Sequence, residues 1–585
     1  MQKEPIIVEA RISSSWDSLI LVPRNRDDAL HTLDVIRNRF GNIRFRRSAY
    51  GISVDAFDAH ELFTNSTAFD IKANSTIRRY VENRRQIKDV RKASKVGVQK
   101  ILSAGTGECL KILANESDLH LLDDHQIRNV AAMTLPGSHG LCLFDEQGAG
   151  KTVTMIFAFD VLVNRDEVDF ALIVAPKSMI SEWPKDFGAF KGDLYRIAIA
   201  SGTRKEKMTA ISARADVLVT NFETAMSMED EIQAVLRNHN GRAMLVVDES
   251  FYVKNLGAQR TQAIRRLREW CKRAYVLCGT PSPNSPNDII EQFNIVDFGF
   301  TFHGVSIPED TKGSHDKIQT TIQERGIYIR NLKQDVLPNL PGRRYQKVLL
   351  PLQPVQEALY RKALNDLVTD VKLTNGKTFQ KQLAGFLARR NALLQICSNP
   401  TAINVDYTET PSKLIALDSI LEDLIDQKKE KTIIWSFFTH SIDCLFKRYQ
   451  RYRPVRYDGQ ISDVKTRRLA IQRFQEDDST MLFVGNPAAA GAGLTLHRSR
   501  TAIYESFSNQ AAHYLQSLDR IHRRGQSRTV EYIILLCDRT LEAQEYSRLL
   551  DKQASAQSLL GDPDEVAVTR EVFLAELTEA AKSLN

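Results

Sequence analysis

LCLFDEQGAGKTVTMIF, residues 141–157, is the stretch whose reading decides the fold. Leu141 to Phe144 is an apolar run of strand length. Asp145 to Gly150 is a glycine-containing loop, and Lys151 with Thr152 opens an apolar helix that continues through Thr154. A strand feeding a helix through such a loop leaves backbone N–H groups free at the helix N-terminus, where the positive end of the helix dipole also lies. That combination suits a phosphate chain. Gly148 and Gly150, on either side of Ala149, allow close backbone approach and unusual dihedrals. Lys151 can reach terminal phosphates, and the Thr152 hydroxyl can ligate Mg2+. The strict pattern G-x-x-x-x-G-K-[ST] is not met, because Asp145 stands where the first glycine belongs. The plainer alternative is a glycine-rich turn with a solvated lysine.

Four further apolar runs follow: ALIVAP (171–176), DVLVTN (216–221), MLVV (244–247) and AYVL (274–277). Unbroken runs, as opposed to alternation, describe strands of a parallel sheet covered on both faces. Strands alternating with helices predict a doubly wound sheet with its site at the C-terminal edge. The third of these, MLVV, ends in Asp248-Glu249, placed to hold the water shell of Mg2+ (Asp248) and to orient or deprotonate an attacking water (Glu249). Upstream, Gln126 opens an amphipathic helix 25 residues before Lys151. Its amide can pair with both edges of adenine, although a surface glutamine is the simpler reading.

Composition bounds the rest. With 585 residues, 43% hydrophobic and 26% charged, the chain suits several globular domains. No run approaches the ~20 apolar residues of a membrane span, and MQKEPIIVEARI lacks a signal-peptide core. The expected partner list therefore includes no membrane. Seven cysteines without a C-x-x-C pair argue for free thiols in a reducing compartment. A net charge of +7 permits a nucleic-acid partner. Residues 1–118 read as a separate small α+β unit, with strands at Ile6–Ile12, Ser18–Val22, Ile43–Arg46 and Ile52–Phe57 and a helix at Arg26–Phe40. Between Arg78 and Lys100 stand nine Lys or Arg against Glu82 and Asp89. This stretch is either a phosphate-backbone contact or a helix face packed on its neighbour.

In order, DEQGAGKT, ALIVAPKSMISEW, DVLVTNFE, VVDES and LCGTPSPN resemble the first-lobe motifs of superfamily-two helicases. They are most similar to the SWI/SNF-like, RapA-like branch of DNA-translocating ATPases, in which aspartate commonly stands at the Asp145 position. The resemblance continues through residues 328–360, RRNALLQICSNP (389–400), KTIIWS (431–436), Tyr457-Asp458-Gly459, AAAGAGLTL (488–496) and QSLDRIHRRGQ (516–526). KTIIWS is read as the first strand of a second lobe. The final motif is the most specific, and the match covers roughly residues 119–555.

The resemblance implies two RecA-like α/β lobes with ATP in the cleft between them. The implied divisions are an N-terminal α+β accessory domain (1–118), lobe one (119–300), a helical inter-lobe segment (301–410), lobe two (411–550) and a C-terminal helical tail (551–585). Nucleotide and Mg2+ fall to Gln126, Gly148, Ala149, Gly150, Lys151, Thr152, Thr154 and Asp248, with Gly493 and Gln516 from lobe two. Lys151, Asp248, Glu249, Arg520 and Arg523 carry catalysis. Lys177, Asn221, His440 and Thr495 mark the nucleic-acid path, with double-stranded DNA as the implied partner and a protein partner for the N-terminal domain. The implied activity is a DNA-dependent ATPase that moves along duplex DNA. The alternatives are a strand-separating helicase and an ATP-switched protein-binding module. Phe251 replaces the usual histidine after the acidic pair, and Ser508-Asn509-Gln510 replaces Trp-Asn-Pro. The compact form points to a bacterial or phage-type cytoplasmic, nucleoid-associated enzyme.

Overall fold

A computed structural model describes residues 5–14, 16–40, 43–48, 51–64, 68–113, 118–282, 286–308, 311–337, 339–461, 463–489, 494–507, 511–547, 549–550 and 570–584. The chain divides into two units, residues 1–281 with 286–332, and residues 282–285 with 333–585.

The first unit holds two sheets. The N-terminal sheet comprises β1 (Ile6–Ile12), β2 (Ser18–Pro23), β3 (Phe45–Ser48), β4 (Gly51–Asp55) and β5 (Phe69–Lys72), in the order β3-β4-β2-β1-β5. It is antiparallel except where β1 meets β5. Helices Arg26–Arg39 and Ser75–Ser103 supply Ile36, Ile77, Tyr80, Val81 and Ile87 to its core.

This sheet does not stand apart from lobe one, as residues 1–118 were expected to do. The 29-residue helix Ser75–Ser103 turns one face to its own sheet and another to the lobe. Arg84 pairs with Glu269 at 2.8 Å and Arg91 with Asp297 at 3.0 Å, all four side chains being buried. Asn83 donates to the other Glu269 oxygen, Arg79 lies over Trp270, and Phe298 joins the N-terminal core. Two of the nine basic side chains, Arg84 and Arg91, are thus buried against the lobe. Arg85 pairs with Glu82 and Asp89, and Lys88 with Asp58. The packed-face alternative accounts for these residues. A buried pair is costly to halve, because the partner's charge is stranded. Glu269→Ala should therefore lower stability by about 3–5 kcal/mol, read as a drop in thermal midpoint.

The larger sheet of this unit comprises β6 (Gly140–Leu143), β7 (Phe170–Ala175), β8 (Ile197–Ala200), β9 (Val217–Asn221), β10 (Ala243–Asp248), β11 (Cys271–Leu277) and β12 (Tyr328–Ile329). Its order is β12-β6-β11-β10-β7-β9-β8, and every pairing is parallel. The apolar runs fill strands β6, β7, β9 and β10, which are buried along their length, as two-sided cover by helices requires.

The second unit contains β13 (Arg343–Leu350), β14 (Thr432–Trp435), β15 (Val455–Tyr457), β16 (Leu482–Gly485), β17 (Thr501–Tyr504) and β18 (Val530–Cys537). Their order is β13-β18-β17-β14-β16-β15, again all parallel. The expectation that Lys431–Ser436 opens this sheet is corrected: Arg343–Leu350 comes first in the chain, and KTIIWS forms an inner strand. Residues 328–350, read as joining the lobes, thus give an edge strand to each sheet. Helices Pro354–Leu373, Gly376–Ser398 and Arg570–Leu584 share one core. The C-terminal helix is accordingly packed through Leu577, Ala580 and Leu584 and does not trail away. Residues 551–569 of the expected tail lie outside the described residues. No helix among the described residues is long and apolar enough to cross a membrane.

Candidate ATPase site

The loop between β6 and the helix Lys151–Asn164 sits at the C-terminal edge of the first unit's parallel sheet, next to the end of β10. Gly148 and Gly150 have φ of 84° and 85°, so both occupy the left-handed region that favours glycine. A Cβ at Gly150 would fall 2.3 Å from the Gln126 amide. Lys151 folds back over the loop and donates to the carbonyls of Asp145 at 3.0 Å and Glu146 at 3.5 Å. Its ammonium is held over the loop concavity by neutral acceptors, free to be drawn to phosphate. Thr152 is half-buried on the first helical turn, whereas Thr154 is buried and caps the turn on the Gly150 carbonyl at 3.1 Å.

The departure at Asp145 has a structural explanation. Its carboxylate is fully buried and ringed by donors: Asn129 Nδ2 at 2.7 Å, and the backbone N–H and Nδ2 of Asn331, each at 2.8 Å. Burial still pushes its pKa above the ordinary carboxylate value. Gln126 lies against the same loop. Its Oε1 accepts from Asp123 N–H at 2.9 Å, and its Nε2 donates to the Gly150 carbonyl at 3.3 Å. His125 meets the Ala149 carbonyl at 2.9 Å. The helix carrying Gln126 thus braces the loop backbone.

Asp248 and Glu249 end β10 side by side, both buried. Trp183 Nε1 donates to Asp248 Oδ2 at 3.1 Å, so a buried indole orients this acid. Gln147 Nε2 donates to Glu249 Oε1 at 2.6 Å, tying the phosphate loop to the second acid. Glu249 has φ of 47°, which turns the chain sharply between strand and the short helix Ser250–Val253. Burial and the Glu249 charge push the Asp248 pKa up to about 7. Two adjacent acids held at such cost, beside a buried lysine and an N–H-lined loop, fit a nucleotide with a divalent cation. Phe251 stacks on Tyr252 at 4.6 Å, which in turn stacks on Phe222 at 5.4 Å.

In the second unit, Arg520 and Arg523 converge on one carbonyl. Their Nη1 atoms donate to Leu494 O at 3.2 and 3.1 Å, and Arg523 also reaches Thr495 Oγ1 at 2.7 Å. Gln516 is buried on the helix Ala511–Leu518. Gly493 and Ser508-Asn509-Gln510 lie outside the described residues. His522 packs between Arg343, which donates to its Nδ1 at 2.8 Å, and the Pro341 carbonyl, 2.7 Å from Nε2. Burial and the neighbouring Arg343 lower its pKa to about 4. A histidine kept neutral in the fold but protonated near pH 6.5 when unfolded stabilises fully above that pH. Stability should fall as pH drops from 6.5 towards 4. A His522→Gln variant should show a flatter thermal midpoint across that window.

Of the residues expected along nucleic acid, Lys177 is exposed just past the end of β7. Asn221 is buried and caps the helix Phe222–Ser227 through Thr224 N–H at 2.8 Å. His440 is exposed and takes a 2.8 Å bond with Thr401 Oγ1. Sequence reading did not single out Asn129, Gln147 or Asn331, polar residues whose task appears only once their partners are placed. Among the described residues, Cys397, Cys537 and Glu542 come together with metal-ligand spacing. Glu542 is already paired with the buried Lys413 ammonium, which opposes a cation there.

A family model described as SNF2-related domain matches residues 109–402, half of the chain, and one described as Helicase conserved C-terminal domain matches residues 412–525. Similar proteins include an uncharacterized ATP-dependent helicase of Mycoplasma genitalium, 26% identical over 76% of this chain and 44% of that protein. The DNA repair and recombination protein RAD54-like of Homo sapiens is 25% identical over 77% of this chain and 66% of its own length. The SWI/SNF-related matrix-associated actin-dependent regulator of chromatin subfamily A member 1 of Homo sapiens is 26% identical over 79% of this chain and 46% of its own. The chain thus spans between about half and two thirds of the length of these relatives.

Proposed function

Because the chain belongs to the SNF2-related family, we propose that it is an ATP-hydrolysing motor that engages duplex DNA and displaces or remodels what is bound there. The observation that carries this is the meeting of the 145–151 loop with the Asp248-Glu249 pair at one sheet edge, joined by the Gln147–Glu249 bond. Free N–H groups of the loop and the helix N-terminus receive the phosphate chain. Lys151 exchanges its two carbonyl acceptors for the terminal phosphates. Thr152 and Asp248 would hold Mg2+, which supplies Lewis-acid neutralisation of the phosphate oxygens. Glu249, oriented by Gln147, takes the proton of a water whose oxygen bonds to the γ-phosphorus as the bond to the ADP oxygen breaks. Arg520 and Arg523 act in turnover and not in retaining nucleotide.

DNA contact is assigned to Lys177, Asn221, His440 and Thr495. Such contacts go mostly to phosphates, so sequence preference should be weak. The companion reading of the N-terminal sheet as a protein-binding element rests on its being a second sheet of the first unit, built from residues ahead of the family-matched 109–402. Calorimetric titration with Mg-ADP tests the nucleotide half of the proposal. The parent chain should bind, and Lys151→Ala should weaken binding by roughly 10- to 150-fold, since a charge-assisted bond is worth ~1.5–3 kcal/mol. Equal affinity in both chains would remove Lys151 from the phosphate site.

A further inference from the structure

The chain leaves the first unit after Leu332 and enters the second at Lys333. Both sides of this crossing are fastened within their own unit. On the first side, Arg330 Nη1 donates to the carbonyls of Phe144 and Gly279, just past the ends of β6 and β11. Asn331 then closes a ring with the phosphate loop. Its N–H and Nδ2 donate to Asp145 Oδ1, and its carbonyl accepts from Glu146 N–H at 3.0 Å. On the second side, Lys333 is 2% exposed and donates to Asp519 Oδ1 at 2.5 Å and to the His522 carbonyl at 3.1 Å. Asp519 immediately precedes Arg520, and His522 immediately precedes Arg523.

We propose that Asn331 and Lys333 are positioning residues that bind the crossing segment to the phosphate loop on one side and to the arginine segment on the other. The inference rests on the ATPase reading of those two elements. The Cα atoms of Asn331 and Lys333 can be no more than ~7 Å apart across Leu332. Each fastening is a buried or half-buried bond to a carboxylate, stronger than a neutral bond and costly to leave unmade. Neither end can slide, so Leu332 is left to take up the change in dihedrals when the two elements respond to nucleotide. Few residues usually absorb such a change.

Hydrogen exchange on the full chain, with and without Mg-ADP, tests this directly. In the parent, nucleotide should slow exchange several-fold in peptides covering 328–336 and 517–525. Asn331→Ala should lose the response at 328–336 while its affinity for Mg-ADP stays within about threefold of the parent. Lys333→Met combined with Asp519→Asn removes both charges of the buried pair together, and Arg343, 3.8 Å from Asp519, is partly exposed, so no fully buried charge is stranded. This double variant should keep the response at 328–336, lose it at 517–525, and lower kcat with KM unchanged. A parent that binds Mg-ADP with no change at 328–336 overturns the proposal, as does a folded double variant that responds like the parent. A parent that binds and responds but hydrolyses nothing overturns the motor reading and upholds the fastening. A parent that binds no nucleotide overturns both.

Discussion

Arg523→Ala is expected to lower ATP turnover by about 10³-fold or more while Mg-ADP affinity stays within about twofold, the signature of an arginine that acts on the transferring phosphoryl group. Three features make Arg523 the arginine to test. It is half-buried, so its guanidinium is partly shielded from water. Its Nη1 donates to the Leu494 carbonyl and the Thr495 hydroxyl, which aims the planar fork. Arg520 rests on the same carbonyl from a more buried position, where truncation would also disturb packing. Arg523→Lys should recover little, because an ammonium offers neither the fork nor the delocalised charge. Single-turnover hydrolysis beside equilibrium nucleotide binding separates the outcomes. Loss of binding in parallel with turnover would mean the residue holds ground-state nucleotide or supports the fold.

Glu249→Gln should cost ~10²–10⁴-fold in hydrolysis, the range general-base catalysis supplies. The substitution is nearly isosteric and leaves an oxygen to accept from Gln147, so nucleotide binding and stability should hold. Removing one of two adjacent buried carboxyls should also return the Asp248 pKa towards the ordinary carboxylate value, since the Glu249 charge is one cause of its elevation. Below pH 7 the variant should therefore bind Mg-nucleotide more tightly than the parent. The same variant separates a motor from an ATP-switched binding module. A motor loses its cellular activity with hydrolysis, whereas a module that needs only the bound state retains it.

Much of this site could be read from the chain because apolar runs and glycine punctuation carry strong physical constraints. ALIVAP and MLVV can be little other than strands covered on both faces, and DEQGAGKT needs its glycines for backbone that a side chain forbids. Edge strands carry no such mark. Arg343–Leu350 is mostly exposed and begins with RRYQ, so its charge masks a strand that opens the second sheet. Tyr328–Ile329 is two residues long, below any usable periodicity. Charge misled in the opposite direction at residues 78–100. Arg84 and Arg91 look solvent-facing in sequence, and only Glu269 and Asp297, nearly 200 residues away, show why they are buried. Asp145 likewise reads as a missing glycine until Asn129 and Asn331 supply its donors.

Duplex DNA is expected to drive ATP turnover by this chain. Steady-state hydrolysis measured without nucleic acid and with single-stranded DNA, duplex DNA or RNA, across a salt series, tests it most directly. The expected result is strong stimulation by duplex DNA, absent in Lys151→Ala, with duplex binding that weakens with salt at a log–log slope of about −0.9 per phosphate contact. Turnover indifferent to every nucleic acid, at any salt, would contradict it.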